Sequence, residues 1–216
     1  MVQSLTRERP TLRVAKGEQT RDRVLDIAEA AVLDKGFAAT SIDELLFEAG
    51  ITKSGFFYHF RDKNDLALAL IERFRTRNQS VFEDVFDRAD QLDEDPLHAF
   101  LVGLKLLAEL MAQVQTERPG CLVATFVYQD QQFDRRVRTH LVELSDIWRG
   151  QFRARLERIA AVHPPRVDID LQDLADMLST VVDGGILLSK VMREPGLLAR
   201  QILAYRTFVR TVFLGF

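Results

Sequence analysis

The chain has 216 residues with 29 basic and 32 acidic side chains, a formal net charge of −3, and is 47% hydrophobic and 28% charged. This composition excludes a disordered or collagen-like chain and speaks against a uniformly basic nucleic-acid binder, while the length leaves room for one large domain or two small ones. A single cysteine excludes an intrachain disulfide framework and fits a reducing cytoplasm. No run reaches about 18 consecutive apolar residues and the first residues hold no apolar stretch, so neither a spanning helix nor a signal peptide is expected, and no membrane partner.

From the N-terminus, residues 1–19 read as a flexible basic arm; across residues 1–16, Arg7, Arg9, Arg13 and Lys16 stand against a single acid, Glu8. Such an arm can follow a phosphate backbone or enter a minor groove. Thr20 is the predicted cap of a first helix with Val24, Ile27, Ala28, Ala31 and Val32 on its apolar face, and Gly36 sits where a helix ends in a left-handed turn. Ser41-Ile42-Asp43-Glu44 reads as a capping box, the Ser41 hydroxyl and the Glu44 carboxylate each satisfying a backbone N–H ahead of Leu45 and Leu46. Gly50 closes that helix, and Thr52 caps a third that runs through Phe56, Phe57 and Tyr58 to about Phe60. Two short helices joined by a glycine-containing turn form a helix-turn-helix, so residues 20–66 are expected to be a small DNA-binding domain.

In that motif the second helix enters the major groove while caps and flanking side chains hold phosphates. Thr52, Lys53, Ser54 and Gly55 supply hydroxyls, an ammonium and an unobstructed backbone at its start. Tyr58, His59, Arg61 and Lys63 follow. Between residues 51 and 63 three basic side chains face one acidic one, so the acidic total hides a basic reading surface.

Beyond the head, Pro96, Pro119, Pro164, Pro165 and Pro195 bound long stretches with few helix breakers. Phe133, Val137, Leu141, Leu144, Trp148, Phe152, Leu156 and Ile159 recur at steps of three or four on one long helix, whose other face carries Arg135, Arg136, Arg138, Arg149 and Arg153. Leu171, Leu174, Leu178, Val181, Val182 and Gly185, then Leu198, Ile202, Tyr205, Val209, Val212 and Phe213, repeat the period. No comparable run alternates with period two. The expected fold is all-α, a three-helix head followed by a larger helical body over residues 67–216.

The segment from Thr20 to Phe74 also resembles a known family. Gly36-Phe37-Ala38-Ala39-Thr40-Ser41-Ile42, Ala49-Gly50-Ile51-Thr52-Lys53-Ser54-Gly55 and Phe57-Tyr58-His59-Phe60-Arg61-Asp62-Lys63 stand in the order and spacing of the DNA-binding domain of the tetracycline-repressor (TetR) family. The resemblance implies that Thr40 and Ser41 touch phosphate, that Thr52 and Lys53 lie at the groove with Ser54 and Gly55, and that Tyr58, His59 and Lys63 clamp the backbone. Phe57 departs from the pattern, because many members carry Tyr there; without the hydroxyl it can pack on a sugar or a thymine methyl but cannot donate to phosphate. The resemblance further implies a homodimeric cytoplasmic transcription factor, usually a repressor, released from a palindromic operator in double-stranded DNA by a small molecule. A fourth helix, from about Asn64 to Ala89, would be the lever.

The last two helices, near 169–192 and 196–214, are apolar on more than one face and are expected to pair with those of a second subunit. Gly184-Gly185 in mid-helix fits a close helix approach. An effector pocket would draw on Phe100, Leu104, Leu107, Met111, Cys121, Phe126, Trp148, Met177 and Asp183, which favours an apolar or aromatic ligand, although aromatic and Met residues at helical spacing are ordinarily core. Cys121, at a helix start, could have a lowered pKa there, but its default reading is a small buried residue. His140 and the Arg135, Arg136, Arg138 run read as structural and solvated. The four histidines and Cys121 lack metal-ligand spacing, and no Gly-rich loop, Gly-x-Ser-x-Gly elbow or His-Glu-x-x-His occurs, so neither enzyme, metal nor cofactor is expected. The alternative is a DNA-anchored protein whose helical body binds a protein partner.

Overall fold

The computed structural model describes residues 12–117 and 120–215, with the backbone alone for 12–16 and 117. Among these residues the order is α1 (Leu12–Lys35), α2 (Ile42–Ala49), α3 (Lys53–His59), α4 (Lys63–Leu92), α5 (Pro96–Glu117), α6 (Leu122–Val127), a short 3₁₀ turn (Asp130–Gln132), α7 (Arg135–Val162), α8 (Leu171–Met192) and α9 (Leu197–Leu214), with no strand. The chain separates into two compact units, Met1–Leu70 and Ile71–Phe216, a division that falls inside α4.

α1 begins earlier than the sequence suggests. Residues 12–19, assigned above to the flexible arm, form its first turns, and Thr20 lies mid-helix instead of capping it. After Pro10 the run contains one poor helix former, Gly17, so propensity carries the helix past the weak start signal of a lone Thr. Residues 1–11 of the expected arm lie outside the described residues. In this unit Val24, Leu25, Ala28 and Val32 are buried with Leu45, Ala49, Phe56 and Phe60. Gly36 (φ 86°) and Gly50 (φ 59°) end α1 and α2 in the left-handed conformation their placement predicts.

The second unit is built on α5, α7, α8 and α9, with α9 packed along α5 and α8, and α7 along α8. The α7 stripe is as expected: Val137, Leu141, Leu144, Phe152, Leu156 and Ile159 are all buried. Pro96–Thr116 is long and apolar enough to cross a membrane, yet here it is a core helix, burying Leu97, Phe100, Leu101, Leu104 and Ala108. Two glycines permit close approach. A Cβ on Gly103 would fall 2.5 Å from Phe86 Cδ1, and one on Gly185 would fall 2.6 Å from Leu198 Cδ1 and 3.2 Å from its Cα. Gly184, the other half of the pair, would meet nothing within 4 Å.

Polar ties set the ends of these helices. Tyr205, 2% exposed, donates its hydroxyl to Leu174 O at 2.8 Å. Gln115 is buried and both accepts from Gly120 N (3.2 Å) and donates to Gly120 O (3.5 Å). Asp95 caps α5 by accepting from Leu97 N and His98 N, and its other oxygen meets His163 Nε2 at 2.5 Å. The His98 backbone N–H and then the His163 ring hold the Asp95 carboxyl below its ordinary value. A carboxyl depressed in the folded state adds stability above its unfolded pKa, about 3.9, and loses it as pH falls through the folded value. Asp95→Asn is therefore expected to be about 1–2 kcal/mol less stable than wild type near neutral pH. Urea unfolding at a series of pH values should show that gap shrinking below about pH 4.

Candidate nucleic-acid interface

The helix-turn-helix is assembled by local capping chemistry. Ser41 Oγ accepts from Glu44 N at 3.2 Å and starts α2; the Glu44 carboxylate is held chiefly by an ion pair with Lys35 and secondarily by the Ser41 backbone N–H. Thr52 Oγ1 accepts from Gly55 N at 3.2 Å and starts α3, with the Ser54 hydroxyl 3.0 Å away. Phe56 and Phe60 are buried and their rings lie 5.3 Å apart, which anchors the inner face of α3. The outer face is left to Thr52, Lys53, Ser54, Phe57 and Tyr58, all exposed. Lys53 has no ion-pair partner among the described residues. Gly55 is half-buried at the same end.

Three expected contacts are differently placed. Thr40 is 1% exposed and its hydroxyl donates to Gly36 O at 2.9 Å, so it braces the turn after α1 and does not present an oxygen to phosphate. His59 is half-buried; burial and then the positive charge of Arg21 push its imidazole below the usual range, which disfavours the charged form. Lys63 turns inward: Nζ donates to Phe37 O at 2.6 Å and Ala38 O at 3.4 Å and lies 4.5 Å from the centre of the Phe37 ring. Burial lowers its pKa. The first residue of α4 thus latches the turn that leads into α2, a positioning role in place of the expected backbone clamp. Lys63→Met is expected to lower the stability of the protein by roughly 1–2 kcal/mol while leaving the salt dependence of DNA affinity unchanged. A salt slope reduced by about one charge would restore the phosphate contact.

Two residues of this surface carried no signal that sequence reasoning used. Arg21, on α1, lies over the Phe60 ring at 5.4 Å, a contact across about forty positions of chain. Phe47, on α2, is 87% exposed.

In the second unit the candidate effector residues divide. Phe100, Leu104 and Phe126 are at most 2% exposed and belong to the packed interior, as does Leu107 at 7%; Phe100 stacks on Phe86 and Phe126 sits edge-on to Phe133. Met111, Cys121 and Trp148 are half-buried, and Met177 and Asp183 are exposed on α8. Trp148 packs edge-on to Phe82 at 5.1 Å and stacks on Phe152 at 5.9 Å. Cys121 is the N-cap of α6 but its thiol is pushed up and not down, because burial and then the Asp183 charge outweigh the backbone N–H groups of Ala124 and Val123. Asp183 is exposed as a residue, yet partial burial of its carboxyl group raises that group's pKa.

A family model described as bacterial regulatory proteins, tetR family, matches residues 24–70. The chain is similar to the transcriptional regulator AcuR of Cereibacter sphaeroides, 27% identical over 164 residues that cover 75% of this chain and 72% of that one. It is also similar to the HTH-type transcriptional repressor BepR of Brucella suis, 29% identical over 116 residues, covering 53% of this chain and only about half, 52%, of the relative. In fold it resembles a TetR-family transcriptional regulator from Agrobacterium tumefaciens (TM-score 0.77, 16% identity, covering 91% of this chain and 99% of that one). A regulatory protein TetR from Rhodobacter sphaeroides superposes with TM-score 0.70 at 25% identity, covering 87% and 97%. The helix-turn-helix at residues 42–59 lies within the segment that matches the tetR family of bacterial regulatory proteins, and the all-helical fold is the one shared by the TetR-family regulators named above.

Proposed function

We propose that the protein is a cytoplasmic homodimeric repressor that binds a palindromic operator in double-stranded DNA and lets go when a small apolar or aromatic effector enters the helical body. The observation that carries the DNA half of this reading is the outer face of α3, where Thr52, Lys53, Ser54, Phe57 and Tyr58 stand exposed together beside the Ser41 cap of α2. Ser41 and Tyr58 would hold phosphates, Lys53 and Ser54 would reach base edges, and Gly55 would let the backbone come close. His59, half-buried and disfavoured as a cation, would donate from a neutral ring.

The dimer half rests on α8 and α9. α8 buries Leu174, Leu178 and Gly185 on one side, yet Met177, Leu187, Leu188, Val191 and Met192 remain exposed, as do Leu203 and Phe208 on α9. A helix apolar on two faces needs two partners, and self-pairing about a two-fold axis supplies the second. The open space over Gly184 would admit a partner helix. Two heads so joined can engage half-sites roughly 34–36 Å apart or a multiple of that spacing.

The effector half narrows to the half-buried Met111, Cys121 and Trp148 with Asp183, since the fully buried members of the expected set are occupied by core packing. Sedimentation of the purified protein should give a dimer, and fluorescence anisotropy should show a palindromic duplex bound far more tightly than a random one. A thermal-shift screen against apolar and aromatic metabolites tests the sensor, because a ligand at 100 times its dissociation constant adds about 2.7 kcal/mol. A monomer with no preference among duplexes would overturn the reading.

A further inference from the structure

Resting on the DNA-binding reading above, we infer that Phe57 reads the 5-methyl group of a thymine in the major groove, making methyl recognition part of this protein's sequence specificity. Phe57 lies four residues after Lys53 and three after Ser54, so the three share one face of α3, the face left in solvent. It is 43% exposed, an apolar ring set among hydroxyls and an ammonium. Its ring is not free to choose any direction: it meets the buried Phe56 ring edge-on, with centroids 5.5 Å apart and planes at 88°. That contact holds the Phe57 ring outward on a fixed support.

The chemistry of the ring selects its target. It has no donor for a phosphate oxygen and none for a base acceptor, so the duplex can reward it only with carbon. The major groove offers one such group on base edges, the thymine methyl, whereas the sugar offers its C–H groups without regard to sequence. Placement beside Lys53 and Ser54, the residues set to reach base edges, favours the methyl over the sugar. Tyr58, 81% exposed and bearing a hydroxyl, is the neighbour suited to the backbone. The division of labour on α3 is then a backbone grip from Tyr58, polar base contacts from Lys53 and Ser54, and an apolar reading by Phe57.

The test uses the full-length protein. Duplexes retained from a random pool define a preferred site, and each thymine in it is then replaced in turn by uracil, which deletes the methyl and nothing else. The expected result is one thymine per half-site whose replacement weakens binding roughly fourfold, the worth of one buried methyl group. Phe57→Ala, a change at an exposed position, should bind thymine and uracil duplexes alike at that site, and Phe57→Tyr should keep the preference. If wild type is insensitive to uracil everywhere, or if Phe57→Ala weakens both duplexes equally and preserves their ratio, the ring packs on sugar and the inference is wrong. If no duplex is retained above background, the DNA-binding reading itself fails and the inference falls with it. Matched thermal unfolding of wild type and variants separates loss of fold from loss of reading.

Discussion

Leu188→Glu and Phe208→Glu introduced together are expected to convert the dimer into monomers and to weaken binding to a two-half-site operator by a factor on the order of 10²–10⁴. Leu188 belongs to a stripe on α8, Met177, Val181, Gly184, Leu188 and Val191, spaced by three and four residues and exposed or half-buried throughout. Phe208 is 38% exposed on α9, the helix packed along α8. Carboxylates at these positions would be driven against apolar surface and against their own symmetry mates, losing hydration. Neither side chain contributes to the buried core, so the monomer should keep its fold, and affinity for a single half-site should stay as in wild type. Sedimentation and anisotropy on one-site and two-site duplexes check both parts. A double variant that remains dimeric would move the interface away from α8 and α9.

Phe86→Ala is expected to remove roughly 3–5 kcal/mol of stability from the body, the usual cost of emptying a large aromatic site. Phe86 is fully buried, with the Phe82 ring 4.5 Å, the Phe100 ring 5.7 Å and the Phe152 ring 6.2 Å away, and the Arg155 guanidinium 4.6 Å above it. Gly103 leaves its α5 flank bare so that the ring can fit. Arg155 in turn donates to Asp90 at 3.0 Å, so the cation over the ring is held from its other side. The single tryptophan, Trp148, contacts Phe82 and Phe152 in the same cluster, and its fluorescence in urea should report the loss directly. Retention of wild-type stability would show that the surrounding rings close the void.

These two variants also mark what the sequence alone conveys. Capping is local chemistry, so Ser41, Thr52, Gly36 and Gly50 announce the helix-turn-helix by their identity and spacing, and the period of the α7 stripe likewise fixes its buried face. Direction over long separations is another matter. Lys63 reads as a phosphate clamp until Phe37 and Ala38, about 25 positions earlier, are found to hold its ammonium. Thr40 reads as exposed until its hydroxyl is seen turned to Gly36 O. Periodicity reports that Phe100 and Leu104 face inward, but a packed interior and a pocket wall share that signal, and only burial separates them from Met111, Cys121 and Trp148. The thiol of Cys121 follows the same logic, since a helix start lowers its pKa only when the site stays solvated. The lone Thr20 start signal loses to the helix propensity of its neighbours, and the short α6, between Pro119 and the long stripe, is too brief to show a period.

The tyrosines are sorted by this fold into chemically distinct sets. Tyr205 is sealed, its hydroxyl committed to Leu174 O and its ionisation pushed above the ordinary value by burial, whereas Tyr58 and Tyr128 stand in solvent at 81% and 74% exposure. With three tyrosines in the chain, a ring-nitrating reagent has two accessible targets, one of them on the outer face of α3. Protection of the peptide carrying Tyr58, with Tyr128 as the internal standard, turns occupancy of that helix into a mass measurement that needs no label on the nucleic acid.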